Sequence, residues 1–114
     1  MHPTTSHARE RISEDIQREL SVIIGEVKDP RVAAAMVSVI AAETSRDQRY
    51  CKVHVSALGT YEEKELLRGL KSAAGFMRGE LCRSLKLRQS PELSFVLDRG
   101  IEHAARIDQL LKNG

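Results

Sequence analysis

The chain has 114 residues, of which 41% are hydrophobic and 30% charged, and its formal net charge is +2. These values are typical of one soluble globular domain and exclude an intrinsically disordered chain. No apolar run is long enough to cross a bilayer and no signal peptide is present, so we expect no membrane association. We predict a single domain over residues 1–114, in the cytoplasm, with residues 1–5 disordered.

Charge is distributed unevenly along the sequence. Residues 64–88 carry seven cations and two carboxylates, a net charge of +5, whereas residues 1–27 carry three cations and five carboxylates, a net charge of −2. A polyanion would be steered to the basic side of such a molecule. Because tryptophan is absent and only 4% of residues are aromatic, we do not expect stacking of bases on aromatic side chains.

The first predicted element is an amphipathic helix from Ser6 to Val27. Its apolar residues recur every three or four positions, and acidic residues fill the other side. The apolar positions are Ile12, Ile16, Leu20, Ile23 and Val27. Pro30 disfavours a helical conformation at Asp29, so residues 28–31 are predicted to form a turn.

Two strands joined as a hairpin are predicted next. Residues 36–43 are rich in small and β-branched side chains, and residues 50–57 alternate between apolar and polar. The inward positions of the second strand are Cys51, Val53, Val55 and Ala57. The polar segment 44–49 is typical of a hairpin loop, so one face of the hairpin should be buried.

The longest predicted element is helical and runs from Tyr61 to Leu87, after a T-x-x-E capping box formed by Thr60 and Glu63. At about 100° per residue, an apolar stripe and a basic stripe lie on opposite sides. The apolar stripe is Leu66, Leu70, Ala74, Met77, Leu81 and Leu85. The basic side holds Lys64, Arg68, Lys71, Gly75 and Arg78. The alternative is that this charged side is only a solvated surface.

Gly75 within the basic stripe would let the backbone of a polyanion approach closely. Glycine also costs a helix about 1 kcal/mol relative to alanine. The segment Ala73-Ala74-Gly75 is therefore predicted to kink this element into two shorter helices.

A third strand and a last helix complete the predicted fold. Leu93, Phe95 and Leu97 alternate inward within residues 92–97, and residues 101–111 have a helical pattern. The order α-β-β-α-(kink)-α-β-α predicts an α+β fold, with a three-stranded sheet and helices packed on one face. The pattern leaves the order of the strands open.

No combination of residues predicts catalysis or a bound metal. Cys51 and Cys82 lack metal-binding spacing and are predicted to be reduced thiols. His2 and His7 are not expected to hold a metal, and His54 is expected to be a half-exposed residue on the outward face of its strand. Motifs of common hydrolases and nucleotide-binding enzymes are absent. We therefore predict a protein that is not an enzyme, with no catalytic residue, metal or cofactor.

Four segments in the same order and spacing resemble ribosome-binding factor A, a family of bacterial small-subunit assembly factors. They are Val27-Lys28-Asp29-Pro30-Arg31, residues 47–56, residues 73–78, and residues 87–95 with Asp98. The resemblance extends from Arg9 to Leu111. It implies a type II KH-like domain, in which an Ala-x-Gly kink replaces the GxxG loop of ordinary KH domains. Ala73-Ala74-Gly75 occupies that place.

The resemblance also implies a function. The family members bind the free or immature 30S subunit and its 16S rRNA, and not 70S ribosomes. They assist late 16S rRNA processing and maturation, including adaptation to cold, and a monomer is expected. Two alternatives stay open: a protein-interaction adaptor that docks through the acidic first helix or an open strand edge, and a generic KH binder of single-stranded RNA.

The residues predicted to bind RNA lie on the basic stripe, in the kink and after the helix. They are Lys64, Arg68, Lys71, Ala73, Gly75, Arg78, Arg83, Lys86 and Arg88. Lys28 and Arg31 are predicted secondary contacts, with a plain polar turn as the alternative. The cations that close the helix are also favoured by the helix dipole alone.

Overall fold

The computed structural model describes the backbone of residues 3–98 and the side chains of residues 11–98. The helices are α1 (Pro3–Ile23), which continues as a 3₁₀ turn (Ile24–Glu26), α2 (Pro30–Ala33) and α3 (Glu63–Leu85). The strands are β1 (Val37–Thr44), β2 (Tyr50–Ala57) and β3 (Glu92–Leu97). The predicted α+β class is confirmed. The predicted last helix, residues 101–111, lies outside the described residues.

The three strands form one mixed sheet in the order β1-β2-β3. β1 and β2 are antiparallel, as expected for a hairpin, and Val37 lies opposite Ala57. β2 and β3 are parallel, with Tyr50 opposite Glu92. A parallel pair needs a crossover connection, and α3 supplies it between β2 and β3. This pairing settles the strand order that the sequence pattern leaves open.

The core lies between one face of the sheet and the helices α1 and α3. The inward residues predicted for β2 are all buried, and Leu93 of β3 joins them. Six large side chains from the helices are at most 1% exposed: Ile16, Leu20, Leu66, Leu70, Met77 and Leu81. Burial of each such side chain contributes about 1.5–3 kcal/mol. The predicted apolar stripe of α3 therefore faces the core except at Ala74, since Ala73 packs against the core in its place.

α3 is one continuous helix of 23 residues, so its predicted division at Ala73-Ala74-Gly75 is wrong. Leu70 and Met77, on either side of Gly75, are both 0% exposed and anchor the two halves of the helix in one core. A glycine costs a helix about 1 kcal/mol. Burial of Leu70 and Met77 contributes more than that, at about 1.5–3 kcal/mol each, and so the helix stays whole.

The cap of α3 also differs from the prediction. The helix begins at Glu63, and the Glu62 carboxylate accepts hydrogen bonds from the backbone N–H of Lys64 and Glu65, at 3.4 and 3.1 Å. Thr60 is held elsewhere, because its N–H donates to the carbonyl of Ala34. At the other end, Lys86 adopts a left-handed conformation (φ 54°) and ends the helix.

The start of α1 and the turn after it contain more helix than predicted. α1 begins at Pro3, before the predicted start at Ser6, and proline is well tolerated in a first helical turn. Residues 28–31 lead into the single helical turn of α2. Asp29 caps α2 by accepting a hydrogen bond from the backbone N–H of Arg31, at 2.9 Å.

α1 lies along β1 and bonds to its backbone. The Gln17 amide donates to the carbonyl of Val39 at 3.0 Å. The Ser13 hydroxyl accepts from the backbone N–H of Thr44 at 3.3 Å and donates to the Thr44 hydroxyl at 3.1 Å. The register of β1 and β2 shifts between Val39 and Ala41, where the strand bulges. One side of β1 is therefore occupied by β2 and another by polar side chains of α1.

Candidate nucleic-acid interface

The outward face of α3 presents a row of cations. Lys64, Arg68 and Lys71 are all exposed, on the side opposite the buried leucines. Gly75 continues the row and is exposed as well, and a Cβ placed on it would meet no atom within 4 Å. At 1.5 Å per residue, the row from Lys64 to Gly75 extends about 16 Å. A ligand can therefore reach the helix backbone at Gly75, beside three cations.

Arg68 of this row and Arg83, further along α3, each form an ion pair with a neighbour on the same helix. Arg68 contacts Glu65 at 2.9 Å and Arg83 contacts Glu80 at 2.8 Å, and the arginine side chains are 68% and 74% exposed. Exposed pairs of this kind contribute about 0–1 kcal/mol. Both guanidinium groups can therefore exchange a carboxylate for a phosphate at little cost.

Lys86 and Arg88 lie beyond the end of α3, and both are exposed. They line a groove of about 350 Å³ that is closed on the other side by Ile12 and Ile16 of α1. Lys86 is about 33 Å from Lys64 along the helix axis, at 1.5 Å per residue. The predicted cations are thus spread along the length of α3 and are not gathered at one point.

Arg78 is half-buried, unlike the other cations of the predicted stripe. Its Nε donates to the hydroxyl of Ser90 at 3.0 Å, and its Nη2 donates to the carbonyl of the same residue at 3.1 Å. The side chain therefore ties α3 to the loop that leads into β3. The sequence pattern does not predict this contact, because it joins residues separated by a turn.

Arg31 also has structural contacts. It bonds to the Asp29 carboxylate through Nε and Nη2, at 3.0 and 2.8 Å, and lies 3.8 Å from Glu65 of α3. The hydrogen bond from Arg31 lowers the pKa of Asp29, and the same bond raises the pKa of Arg31. Arg31 thus connects the cap of α2 to α3, whereas the neighbouring Lys28 is exposed.

Ala73 is half-buried and lines a wide groove of about 810 Å³ between α3 and the end of α1. The groove is also lined by Val27, Lys28 and Phe76. Phe76 is 46% exposed and is absent from the residues predicted to bind RNA. The sequence does contain a feature that indicates an exposed apolar surface here, because Phe76 is a large apolar side chain outside the apolar stripe of the helix.

Other candidate chemistry is confined to structural contacts. His54 lies on the outward side of β2, as predicted, with its Nε2 at 3.1 Å from the Glu43 carboxylate. Within the part of the chain that the structure describes, no three His, Cys, Asp or Glu side chains could together hold a metal ion. Burial raises the pKa of the Cys51 thiol, which makes it a poor nucleophile. No helix in that same part is long and apolar enough to span a membrane.

Comparisons with known proteins place the chain in a family. The family model described as ribosome-binding factor A matches residues 8–111. The ribosome-binding factor A of Caldanaerobacter subterraneus is 49% identical over 104 residues, which are 90% of this chain and 84% of that protein. A second relative, from Acetivibrio thermocellus, is 50% identical over the same shares of each chain.

Solved structures agree with this placement. The crystal structure of ribosome-binding factor A from Thermus thermophilus matches with a TM-score of 0.71 at 28% identity, covering 81% of this chain and 98% of that one. A homology model of the T. thermophilus protein, fitted into a cryo-EM map of a 30S complex of ribosome-binding factor A, matches with a TM-score of 0.67 at 28% identity, covering 79% and 94%. The described fold is the KH-like α+β fold of these structures. The chain therefore belongs to the ribosome-binding factor A family.

Proposed function

We propose that this protein is an assembly factor that binds the small ribosomal subunit by contacting its RNA with the outward face of α3. The observation that carries the proposal is that Lys64, Arg68, Lys71 and Gly75 are all exposed on one uninterrupted helical face. The relatives are called ribosome-binding factor A, and a homology model of the T. thermophilus protein was fitted into a map of a 30S complex. Both descriptions are consistent with a ribosomal RNA ligand.

The exposed cations bind phosphates in two groups. Lys64, Arg68 and Lys71 form the group on the first half of α3, and Arg83, Lys86 and Arg88 form the group at its end. Phosphate contacts position a protein on RNA and carry no sequence information. A straight helix with charges at both ends fits RNA that is already folded to a matching shape. Binding would raise the population of that RNA shape over its alternatives.

The remaining predicted residues have supporting roles in this proposal. Gly75 leaves room for the RNA backbone, and Lys28 makes a secondary contact at the mouth of the groove. Arg78 and Arg31 act mainly as positioning residues, because their guanidinium groups are already engaged with Ser90 and Asp29. Ala73 acts through its small size on the wall of the same groove.

Membership in the family supports a proposal for the finer biological role. The RNA would be the 16S rRNA, and binding would assist its late processing and maturation, including in the cold. The protein would act in the cytoplasm as a monomer, as a single domain over residues 1–114, without catalysing a reaction. It would bind free 30S subunits and not 70S ribosomes.

Salt dependence tests whether phosphates carry the binding. Each phosphate contact contributes about 0.7–0.9 to the slope of log affinity against log salt, so six contacts predict a slope of about −4 to −5. The slope can be measured by co-sedimentation with isolated 30S subunits at several salt concentrations. A flat response would contradict the proposal and favour docking onto a ribosomal protein.

A charge reversal tests which surface is used. Arg68→Glu with Lys71→Glu should abolish co-sedimentation with 30S subunits, and circular dichroism should show an intact fold. The matched control is Arg11→Glu with Arg18→Glu, which reverses two exposed arginines of α1. Equal binding by the α3 double variant and the wild type would contradict the assigned surface.

The alternatives make different predictions. Within residues 3–98, β3 pairs only with β2, so its outer edge could accept a strand of a partner protein. Such an adaptor would bind with little dependence on salt. A generic KH binder of single-stranded RNA would bind short unstructured RNA as well as it binds subunits. Such binding uses a GxxG loop between two helices. In this protein the corresponding segment, Ala73-Ala74-Gly75, lacks the GxxG sequence and lies within the continuous helix α3.

A further inference from the structure

The groove beside Gly75 has an apolar wall and an open mouth. Phe76 and Ala73 line it from α3, and Val27, only 8% exposed, lines it from the segment after α1. Gly25 also lines it, and a Cβ on Gly25 would meet no atom within 4 Å. At about 810 Å³, the groove has the size of sites that hold small organic groups.

The charges around the groove select what can enter it. Glu26 and Asp29 line it, with Lys28 as the cation. The Asp29 carboxylate is engaged by Arg31, whereas Glu26 is exposed. A phosphate placed inside would be repelled by Glu26 and would lose its hydration against the apolar wall. A neutral, planar and partly apolar group has neither penalty.

The groove is continuous with the basic face of α3. Ser72, another residue of the groove, lies three positions before Gly75 and four before Phe76, so it adjoins both on the surface of the helix. An RNA strand held by its phosphates on Lys71 and at Gly75 would therefore pass the mouth of the groove. The parts of that strand that are neutral and planar are its bases.

We propose that one unpaired base of the bound RNA enters this groove and stacks on the ring of Phe76. This inference rests on the proposed function, since it needs the strand to lie on the basic face of α3. Bases in a duplex are already stacked and cannot enter, so the groove selects a base that is splayed out. The low aromatic content of the sequence predicts no such stacking, but the exposed ring of Phe76 is sufficient for one base. Stacking tolerates any base, because every base has a π-face.

The two parts of the interface would then recognise different properties of the RNA. The cations of α3 would respond to the path of the phosphates, and Phe76 would respond to whether one base is free of a partner. RNA in which that base is paired would bind more weakly, so the protein would stabilise the conformation that leaves it unpaired.

The test measures the affinity of wild type, Phe76→Leu and Phe76→Tyr for isolated 30S subunits at several salt concentrations. Loss of one stacked base predicts that Phe76→Leu weakens binding about 5- to 100-fold. Its salt slope should equal that of the wild type, because no phosphate contact is lost. Phe76→Tyr keeps an aromatic ring and should bind like the wild type. The matched control, Leu58→Ala, removes a 79% exposed apolar side chain outside the groove and should change nothing.

Irradiation of the complex at 254 nm, followed by mass spectrometry, identifies what touches residue 76. A nucleotide adduct on Phe76 is expected. If wild type binds with a steep salt slope and Phe76→Leu binds equally well, or if adducts form on other α3 peptides and none on Phe76, the inference is wrong and the proposed function stands. If wild type itself shows no salt-dependent binding, the proposed function fails as well.

Discussion

Arg78 and Ser90 fasten the middle of α3 to the loop before β3. The guanidinium donates from Nε to the Ser90 hydroxyl at 3.0 Å and from Nη2 to the Ser90 carbonyl at 3.1 Å. Ser90 precedes Pro91, which is buried, and β3 begins at Glu92. The position of β3 therefore depends on a cation that the sequence pattern assigns to the RNA-binding stripe.

Arg78→Gln should lower the free energy of unfolding by about 1.5–3 kcal/mol, because it removes hydrogen bonds from a charged, half-buried donor. Urea denaturation monitored by circular dichroism measures this change. The matched control is Arg68→Gln, which breaks only an exposed pair with Glu65 and should change stability by less than about 1 kcal/mol. Equal losses in the two variants would show that the Ser90 contacts do not stabilise the fold.

Gly75→Ala should raise stability and weaken RNA binding. The added Cβ meets no atom within 4 Å, and alanine is favoured over glycine in a helix by about 1 kcal/mol. The same methyl group should hold the RNA backbone away from the helix. Thermal melts and 30S co-sedimentation measure the two effects.

Gly79→Ala is the control for this substitution, because a Cβ there also meets no atom within 4 Å. It should be stabilised equally, which would show that the gain in stability is the general effect of alanine in α3. If Gly75→Ala binds 30S subunits with the affinity of the wild type, the proposed close approach of the RNA backbone to Gly75 is wrong.

Gly59→Ala should destabilise the protein by about 2–3 kcal/mol, the upper range for overpacking. Its Cβ would overlap the carbonyl oxygen of Ala34 and would lie 3.0 Å from the backbone carbon of Ala35. These are backbone atoms and cannot rotate away. Gly25→Ala, with open space around its Cβ, should be tolerated. Urea denaturation compares the two variants, and similar midpoints would contradict the crowding at Gly59.

Stability should depend on pH through Asp29. The hydrogen bond from Arg31 lowers the pKa of Asp29 in the folded protein below its ordinary value of 3.8. A carboxyl with a lowered folded pKa contributes stability above its unfolded pKa and loses it as pH falls through the folded pKa. Asp29→Asn should therefore destabilise the protein at pH 7, and the difference from wild type should shrink as pH falls below about 4.

Urea denaturation across that pH range tests the prediction. Asparagine also caps helices well, so this substitution isolates the charge from the cap of α2. In an Arg31→Gln background the same substitution should have a smaller effect at pH 7. A difference that is independent of pH would contradict the ion pair.

Two of the three strands could be predicted to the residue, because their patterns are local, whereas β1 was predicted at 36–43 and lies one residue later, at Val37–Thr44. β2 and β3 alternate with a period of two between clear breaks, and the structure gives the predicted ranges 50–57 and 92–97. The errors in α3 come from contacts distant in sequence. The backbone N–H of Thr60 donates a hydrogen bond to the carbonyl of Ala34. Glu62 therefore caps the helix in place of Thr60.

In the candidate site, too, local features could be predicted from the sequence and contacts between separate elements could not. The exposure of Lys64, Arg68 and Lys71 follows from the helical period alone. The contacts of Arg78 with Ser90, and of Arg31 with Glu65, depend on how separate elements pack, which no local pattern contains. The groove at Phe76 exists only because the end of α1 lies against α3.

The polar contacts from α1 to β1 have a consequence for self-association. Exposed strand edges are templates on which further copies of a chain can add, and fibril growth requires a free edge on both sides of a sheet. Gln17 and Ser13 already bond to the backbone of β1 at Val39 and Thr44. Within residues 3–98, side chains of α1 thus occupy part of the outer edge of β1, whereas the outer edge of β3 pairs with no other strand. A further copy that added at β1 would first have to displace these side-chain hydrogen bonds, so the arrangement disfavours open-ended growth through both edges of the sheet.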